Sequence, residues 1–238
     1  MRDPSVAIVG ATGLVGQEFI RILRQRKFPM SSLKLLASEA SAGRKITIER
    51  KEFEVEKASH DSFENVDLAL FSAGAEISHD LAPVAARAGS VVVDNSSAWR
   101  MEPEIPLVVP EVNPEDIASH NGIISNPNCS TIQMVVALYP LHKVNPITRI
   151  TVATYQAVSG TGKAAMEELS TQSKQILNGQ EIVPHVYPHQ IAFNLLPHVD
   201  SFLDKAEREI FAITQTGVSR EYSEISEVLE TAFEELEA

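Results

Sequence analysis

One cysteine in 238 residues rules out an internal disulfide, and a lone thiol fits a reducing compartment. Long apolar runs are missing as well. No stretch approaches the roughly 20 residues of a membrane-crossing helix. The opening MRDPSVAIVG passes straight into a strand-like run, without the pattern of a secretory signal. Positive charge is scarce: 20 Lys and Arg face 32 Asp and Glu, a formal net charge of -12. That balance argues against nucleic acid as a partner. Internal repeats and low-complexity linkers are also lacking. What remains is a cytoplasmic globular protein with no nucleic acid and no membrane partner. The length suits one large α/β domain, or one domain and part of a second.

Of the residues present, 44% are hydrophobic, enough for a core. Ser5 to Gly10 (SVAIVG) reads as a short buried strand stopped by glycine. Leu14, Phe19, Ile22 and Leu23 then recur at helical spacing, with basic residues in the last turn. Leu33 to Ser38 reads as a second strand, and KITIERKEFEVEKA alternates as a half-exposed hairpin does. Val66 to Gly74 and Ser90 to Ser97 are further buried strands, separated by a helix ending at Gly89. Strands alternating with helices, and poor in polar residues, indicate a parallel sheet covered on both faces. Ile147 to Gly162 reads as another strand running into a glycine-rich loop, followed by a helix closed by Gly179. The stretch QEIVPHVYPHQIAFNLLPHVDSF is punctuated by proline and reads as largely extended. From Asp204 to Ala238 there are ten acidic and three basic residues. There Tyr222, Ile225, Leu229, Phe233 and Leu236 form an amphipathic helical stripe that needs a surface to dock on.

Gly10, Gly13 and Gly16 lie at the first strand-to-helix turn. Their G-x-x-G-x-x-G spacing is a variant of the dinucleotide fingerprint. Such a turn gives a tight bend, close backbone approach to phosphate, and N–H groups aimed at an anion. The other possibility is a tight βα turn without ligand. The second strand is expected to end near the adenosine ribose. There Ser38 and Ser41 suit a 2′-phosphate, with Arg44 or Lys45 to neutralise it, whereas Glu39 favours NAD. NADP is the expected cofactor, with NAD possible.

The cysteine, Cys129, stands in NPNCST just before an apolar helical run. A helix N-terminus offers unpaired N–H groups and partial positive charge, which stabilise a thiolate and an oxyanion. Asn126 and Asn128 offer further donors. The alternative is an inert buried thiol, but Asn-Pro-Asn enforces an irregular turn that mere packing does not require. A thiol beside a nicotinamide site suggests acyl-thioester chemistry. His185 and His189 in HVYPH are four apart, yet Pro184 and Pro188 prevent regular helical presentation, so no metal site is expected. His198 is expected to bond backbone, and Trp99 to pack beneath its loop.

The segments AIVGATGLVGQE, LLASEASAG, VVVDNSSAWRM, PLVVPEVN, NPNCSTIQMVVALYPL, TYQAVSGTGKAAMEEL and FNLLPHVDSF stand in the order seen in aspartate-semialdehyde dehydrogenases, which the chain resembles from about Val6 to Phe202. The resemblance implies a Rossmann-like doubly wound parallel sheet (residues 1–129), then a shortened mixed α/β substrate and dimerisation domain (130–203) and the acidic tail (204–238). It implies NADPH-dependent reductive dephosphorylation of aspartyl phosphate to aspartate semialdehyde, on the route to lysine, threonine and methionine, by a homodimer or tetramer. Within it, Cys129 corresponds to the acyl-enzyme nucleophile and Gln156 to the substrate-orienting glutamine. Arg100 corresponds to the arginine on the phosphate group, and Asn128 lines the same site. Gly10, Thr12, Gly13, Leu14 and Val15 match the pyrophosphate loop, Ser38 a 2′-phosphate contact, and Ser159 and Gly160 the loop near the nicotinamide.

Two departures accompany the match. Ala40 stands where many relatives carry an arginine for the 2′-phosphate. Beyond Phe202 the quoted motifs end, and the family's glutamate, arginine and general acid/base histidine have no counterpart; residues 203–238 contain no histidine. Loss of general acid/base help lowers a rate about 10²–10⁴-fold. A non-catalytic dinucleotide-binding or regulatory module derived from the family is therefore the alternative function.

Overall fold

The structure, a computed structural model, describes residues 2–196. They form two compact units, residues 2–150 and 151–196. The amphipathic tail and His198 lie outside the described residues.

The first unit is built on a seven-stranded sheet. Its strands are β1 (Ser5–Val9), β2 (Ser32–Ala37), β3 (Lys45–Ile48), β4 (Lys51–Lys57), β5 (Leu68–Phe71), β6 (Val91–Asp94) and β7 (Ile123–Ser125). They lie in the order β3-β4-β2-β1-β5-β6-β7. Every neighbouring pair is parallel except the β3–β4 hairpin. The helices are α1 (Leu14–Gln25), α2 (Ala75–Arg87) and α3 (Cys129–Val144).

Strand β1 shows why the sheet is covered on both sides. Ala7 and Val9 join a core with Phe63, Phe71, Leu81, Ala82 and Ala85, on the face that α2 covers. Ile8, one residue out of phase, joins Ile20, Leu35 and Val55 on the other face, beneath α1. A two-residue side-chain period therefore buries the whole strand, and each such Val, Leu or Ile contributes about 1.5–3 kcal/mol. The core stripe of α1 differs from the spacing read in the sequence. Gly16 and Ile20 are buried, with Phe19 and Leu23 packed beside them, whereas Leu14 and Ile22 are about two-fifths exposed. Leu14 is the first residue of the helix, ahead of the buried Gly16 and Ile20.

From β1 the chain builds outward through α1 to β2, then returns to place β5 on the other side of β1. The connections after β1 and β5 therefore leave in opposite directions and open a crevice at the carboxyl ends of these strands, the usual ligand position in open α/β sheets.

In the second unit the expected strand over Ile147 to Gly162 does not form. Residues 151–157 are exposed and have no regular secondary structure. A strand is stabilised by pairing, and no ladder to this stretch is formed among the described residues. The helix that follows, α4 (Lys163–Leu177), does form. Gly179, at φ +66, closes it with N–H bonds from Gly179 to the Ile176 carbonyl and from Gln180 to the Gln175 carbonyl.

Candidate active site

The glycine turn stands at the carboxyl end of β1. Gly10 adopts φ +88, and a Cβ there would meet the Ser72 backbone at 2.9 Å. A Cβ on Gly16 would lie 2.2 Å from the Gly10 carbonyl oxygen. Gly13 is the N-cap of α1 and carries no side-chain cap. The N–H groups of the first helical turn, at Leu14 and Val15, thus face the crevice without an intrahelical partner. A cradle closed to side chains and lined with amide donors fits a dinucleotide pyrophosphate.

Thr12 and Ser41 hydroxyls stand 3.3 Å apart, joining this turn to the loop after β2. Ser38, exposed, caps the short 3-10 helix Glu39–Ser41. Two cations of this corner are already engaged: Lys57 pairs with Glu39, and Lys45 with Glu52 at 2.9 Å. Arg44 is exposed beside them. The corner therefore offers hydroxyls first and cationic charge second to a 2′-phosphate.

The ends of β6 and β7 are tied together. The Asn126 N–H donates to the Asp94 carbonyl at 2.8 Å, and the Asn126 side-chain amide donates to Asn95 Oδ1 at 2.7 Å. The Arg100 guanidinium spans the same gap, donating from Nε to the Asn126 carbonyl and from Nη2 to the Asn95 carbonyl, each at 3.0 Å. The loop carrying Arg100 is itself braced. The fully buried Asp94 carboxylate accepts from the Ser96 N–H (3.0 Å) and hydroxyl (2.6 Å). The Trp99 indole N–H donates to buried Ser78 on α2 at 2.8 Å, and His79 meets the Trp99 ring edgewise at 4.8 Å. Trp99 thus packs beneath the loop, as its position next to Arg100 suggested.

Three residues after Asn126 comes Cys129, the first residue of α3, and it is exposed. Asn128 is the N-cap, and its Oδ1 accepts from the Ser130 N–H at 2.8 Å. Both asparagines were expected to offer donors; Asn128 caps the helix through Oδ1, a bond that leaves its Nδ2 group a donor, and Asn126 Nδ2 gives one N–H to Asn95. Packing fixes the helix: Val135, with Ile132 and Tyr139, lies against Val109 and Val112.

Three further described histidines make side-chain hydrogen bonds, none of them to Cys129. His60 pairs with Asp80, His120 accepts from the Gly122 N–H, and His142 accepts from the Ile147 N–H. No group of three or more potential metal ligands occurs among the described residues. Nor is any described helix long and apolar enough to cross a membrane.

Gln156, Ser159 and Gly160 belong to the second unit and are exposed. Gln156 Nε2 donates to Thr154 Oγ1 at 3.1 Å, and Ser159 and Gly160 form part of the 3-10 turn Val158–Thr161. In the same unit α4 buries Glu168. Its carboxylate accepts the N–H groups of His185 (2.8 Å), Val186 (2.5 Å) and Tyr187 (3.3 Å). Burial opposes ionisation, but the three N–H groups and the neighbouring His185 outweigh it and hold the carboxyl below its ordinary pKa. A depressed pKa stabilises the fold above the unfolded value, about 4.3, and that contribution fades as pH falls through the folded value. Unfolding by urea between pH 7 and pH 3 is expected to show this loss in the wild type and a flatter acid limb in Glu168→Gln.

Sheet order and glycine turn define a dinucleotide-binding α/β domain, with an exposed cysteine at the start of α3. Comparison with known proteins narrows the class. Residues 5–120 match the model described as semialdehyde dehydrogenase, NAD binding domain, and residues 138–222 match semialdehyde dehydrogenase, dimerisation domain. The second match runs past Phe202, where the motifs quoted above end. Aspartate-semialdehyde dehydrogenase of Bacillus subtilis (strain 168) is 52% identical over 210 residues, 85% of this chain and 61% of the relative. That of Aquifex aeolicus (strain VF5) is 54% identical over 203 residues, 84% of this chain and 60% of the relative. The crystal structure of aspartate semialdehyde dehydrogenase II from Vibrio cholerae complexed with ASA superposes with a TM-score of 0.86 at 46% identity, covering 91% of this chain and 66% of that one. The chain belongs to the aspartate-semialdehyde dehydrogenase family. It spans about three fifths of the length of the curated relatives it matches.

Proposed function

We propose that the chain carries the acyl-transfer and cofactor-binding half of an aspartate-semialdehyde dehydrogenase, converting aspartyl phosphate to aspartate semialdehyde with NADPH. The observation that carries this reading is the placing of Cys129 at the start of α3, after β7, at the same carboxyl end of the parallel strands as the Gly10–Gly16 turn after β1. Residues 1–129 would serve the cofactor and residues 130–203 substrate and dimerisation. Gly10, Thr12, Gly13, Leu14 and Val15 hold the pyrophosphate. Ser38 receives the 2′-phosphate, helped by Ser41, which makes NADP the preferred cofactor over NAD. Ser159 and Gly160 flank the nicotinamide, which supplies the hydride when bound.

The chemistry at the thiol follows from its surroundings. Cys129 Sγ attacks the acyl carbon, the C–S bond forms, and the bond from carbon to the phosphate oxygen breaks. The phosphate departs toward Arg100, whose fixed guanidinium matches a tetrahedral oxyanion. First-turn amides of α3 receive the carbonyl oxygen as it gains charge, and Gln156 orients the acyl group. A reactive thiol is best kept in the cytoplasm, and the exposed apolar residues Leu141 and Val144 on α3 favour a homodimer.

Titration with NADPH and NADH, followed by turnover of aspartate semialdehyde with NADP and phosphate, tests the reading. Tighter NADPH binding with turnover above a Cys129→Ala control supports it. Binding without turnover supports the non-catalytic alternative, and failure to bind either cofactor rejects both. Arg100→Ala is expected to weaken phosphate binding about 10–100-fold, the loss of a charge-assisted contact. Emission from Trp99, the single tryptophan, reports that titration from the neighbouring position. Arg100→Lys is expected to recover little, because a point charge cannot bridge two carbonyls and an anion together.

A further inference from the structure

The buried polar pair on α4 has no part in the chemistry above. Glu168 and Gln172 stand one turn apart and are both buried, with Gln172 Nε2 donating to Glu168 Oε1 at 3.2 Å. A leucine at either position would satisfy a packing face, so two buried polar side chains need another account. Their remaining contacts supply it. Glu168 gathers the N–H groups of three successive residues, 185 to 187. Gln172 Oε1 accepts those of Ile191 at 2.9 Å and Ala192 at 3.1 Å. A segment with no regular secondary structure, whose amides no described strand takes up, is thereby fastened along the helix at two points. Between them Tyr187 reaches back: its hydroxyl donates to Thr161 Oγ1 at 2.9 Å. Thr161 ends the 3-10 turn Val158–Thr161, which contains Ser159 and Gly160.

We infer that Glu168, Gln172 and Tyr187 are positioning residues that hold the Val158–Thr161 turn in place for the nicotinamide end of the cofactor. Apart from its continuation through Gly162 into α4, the turn has no side-chain hydrogen bond besides the one from Tyr187 among the described residues. Its residues are exposed or half-buried, and its internal N–H bonds, from Gly160 to Ala157 (3.3 Å) and from Gly162 to Ser159 (3.0 Å), are local. Anchoring one end through a side chain seated on α4 removes conformational freedom that cofactor binding would otherwise have to remove. The cofactor role of this turn rests on the function proposed above; the clamp itself rests on the hydrogen bonds alone.

Tyr187→Phe in the full chain tests the clamp, with Thr161→Val as a second removal of the same bond. Loss of one hydrogen bond is expected to raise amide exchange at Gly160 and Gly162 about 3–10-fold, with exchange at 185–187 unchanged. Glu168→Gln is expected to release the amides of 185–187 as well. NADPH is expected to bind about 3–10-fold more weakly to Tyr187→Phe, whereas 2′,5′-ADP, which lacks the nicotinamide, binds as to the wild type. Unchanged exchange at Gly160 and Gly162 in both Tyr187→Phe and Thr161→Val overturns the clamp. Equal weakening of NADPH and 2′,5′-ADP overturns its nicotinamide specificity. A wild type that binds 2′,5′-ADP but gains nothing from the nicotinamide refutes the proposed role of Ser159 and Gly160, and the exchange rates still decide the clamp.

Discussion

Cys129→Ala is expected to lower turnover of aspartate semialdehyde with NADP and phosphate by at least about 10³-fold while leaving NADPH affinity and stability almost unchanged. On the proposed mechanism the rate loss follows from removing the group that forms the acyl intermediate; nucleophile deletions in covalent enzymes reach about 10⁶-fold. Stability is spared because the side chain is exposed and outside every core cluster, and substitutions of that kind stay within about 0.5 kcal/mol. The helix keeps its cap, since Asn128 holds the Ser130 N–H independently of the thiol. Cys129→Ser separates two ideas: a hydroxyl preserves size and polarity but is a far weaker nucleophile at neutral pH, so it too is expected to be inactive. A Cys129→Ala protein that retained wild-type turnover would remove the thiol from the mechanism. One that lost NADPH affinity as well would mean that α3 shapes the cofactor site directly.

Much of this site was legible because its parts are local. A glycine triplet at a strand-to-helix turn and an Asn-Pro-Asn-Cys step into an apolar run each state their backbone geometry within a few residues. Strand runs such as SVAIVG are similarly self-contained, since burial on both faces leaves no alternation to misread. What escaped reading depends on partners distant in sequence. The bracing of Arg100 by Asn95 and Asn126 requires β6 and β7 to be neighbours, and nothing in SSAWRM marks Asn95 as a bridge. The anchoring of Trp99 on Ser78 crosses from the loop to α2 in the same way. Glu168 carries no local mark of burial; its burial depends on a segment about twenty residues later folding back over it. The strand expected over Ile147 to Gly162 failed for the converse reason. Its β-branched residues meet the local requirement for a strand, but a strand also depends on pairing, and no ladder to it forms among the described residues. Asn128 stands where expected, and its cap bond through Oδ1 to the Ser130 N–H is a second use that NPNCST alone does not announce.

Gly16→Ala is expected to destabilise the protein by about 1–3 kcal/mol and to weaken NADPH and 2′,5′-ADP binding together by roughly 10–100-fold. The added Cβ would stand 2.2 Å from the Gly10 carbonyl oxygen and 2.8 Å from Ala11 Cα. Both are backbone atoms, so no rotamer change relieves the clash, and α1 must move away from β1. Overpacking of this kind typically costs about 1–3 kcal/mol. The same movement withdraws the first-turn amides from the position a pyrophosphate would occupy, and removing each charge-assisted hydrogen bond costs about 1.5–3 kcal/mol. Two other glycines supply internal controls. Gly13 has φ -77, ordinary for any residue, and its Cβ would lie 3.2 Å from a single oxygen, so Gly13→Ala is expected to fold nearly as the wild type. Gly89, between α2 and the amino end of β6, has φ +96 with open space around it; Gly89→Ala is expected to lose about 1 kcal/mol through backbone strain alone, without touching cofactor affinity. Denaturant midpoints and cofactor titrations on the three variants therefore separate steric clash, backbone strain and ligand binding. If Gly16→Ala bound NADPH as tightly as Gly89→Ala, close packing of α1 against the turn would have no bearing on the cofactor, and the crevice would be a fold feature rather than a binding site.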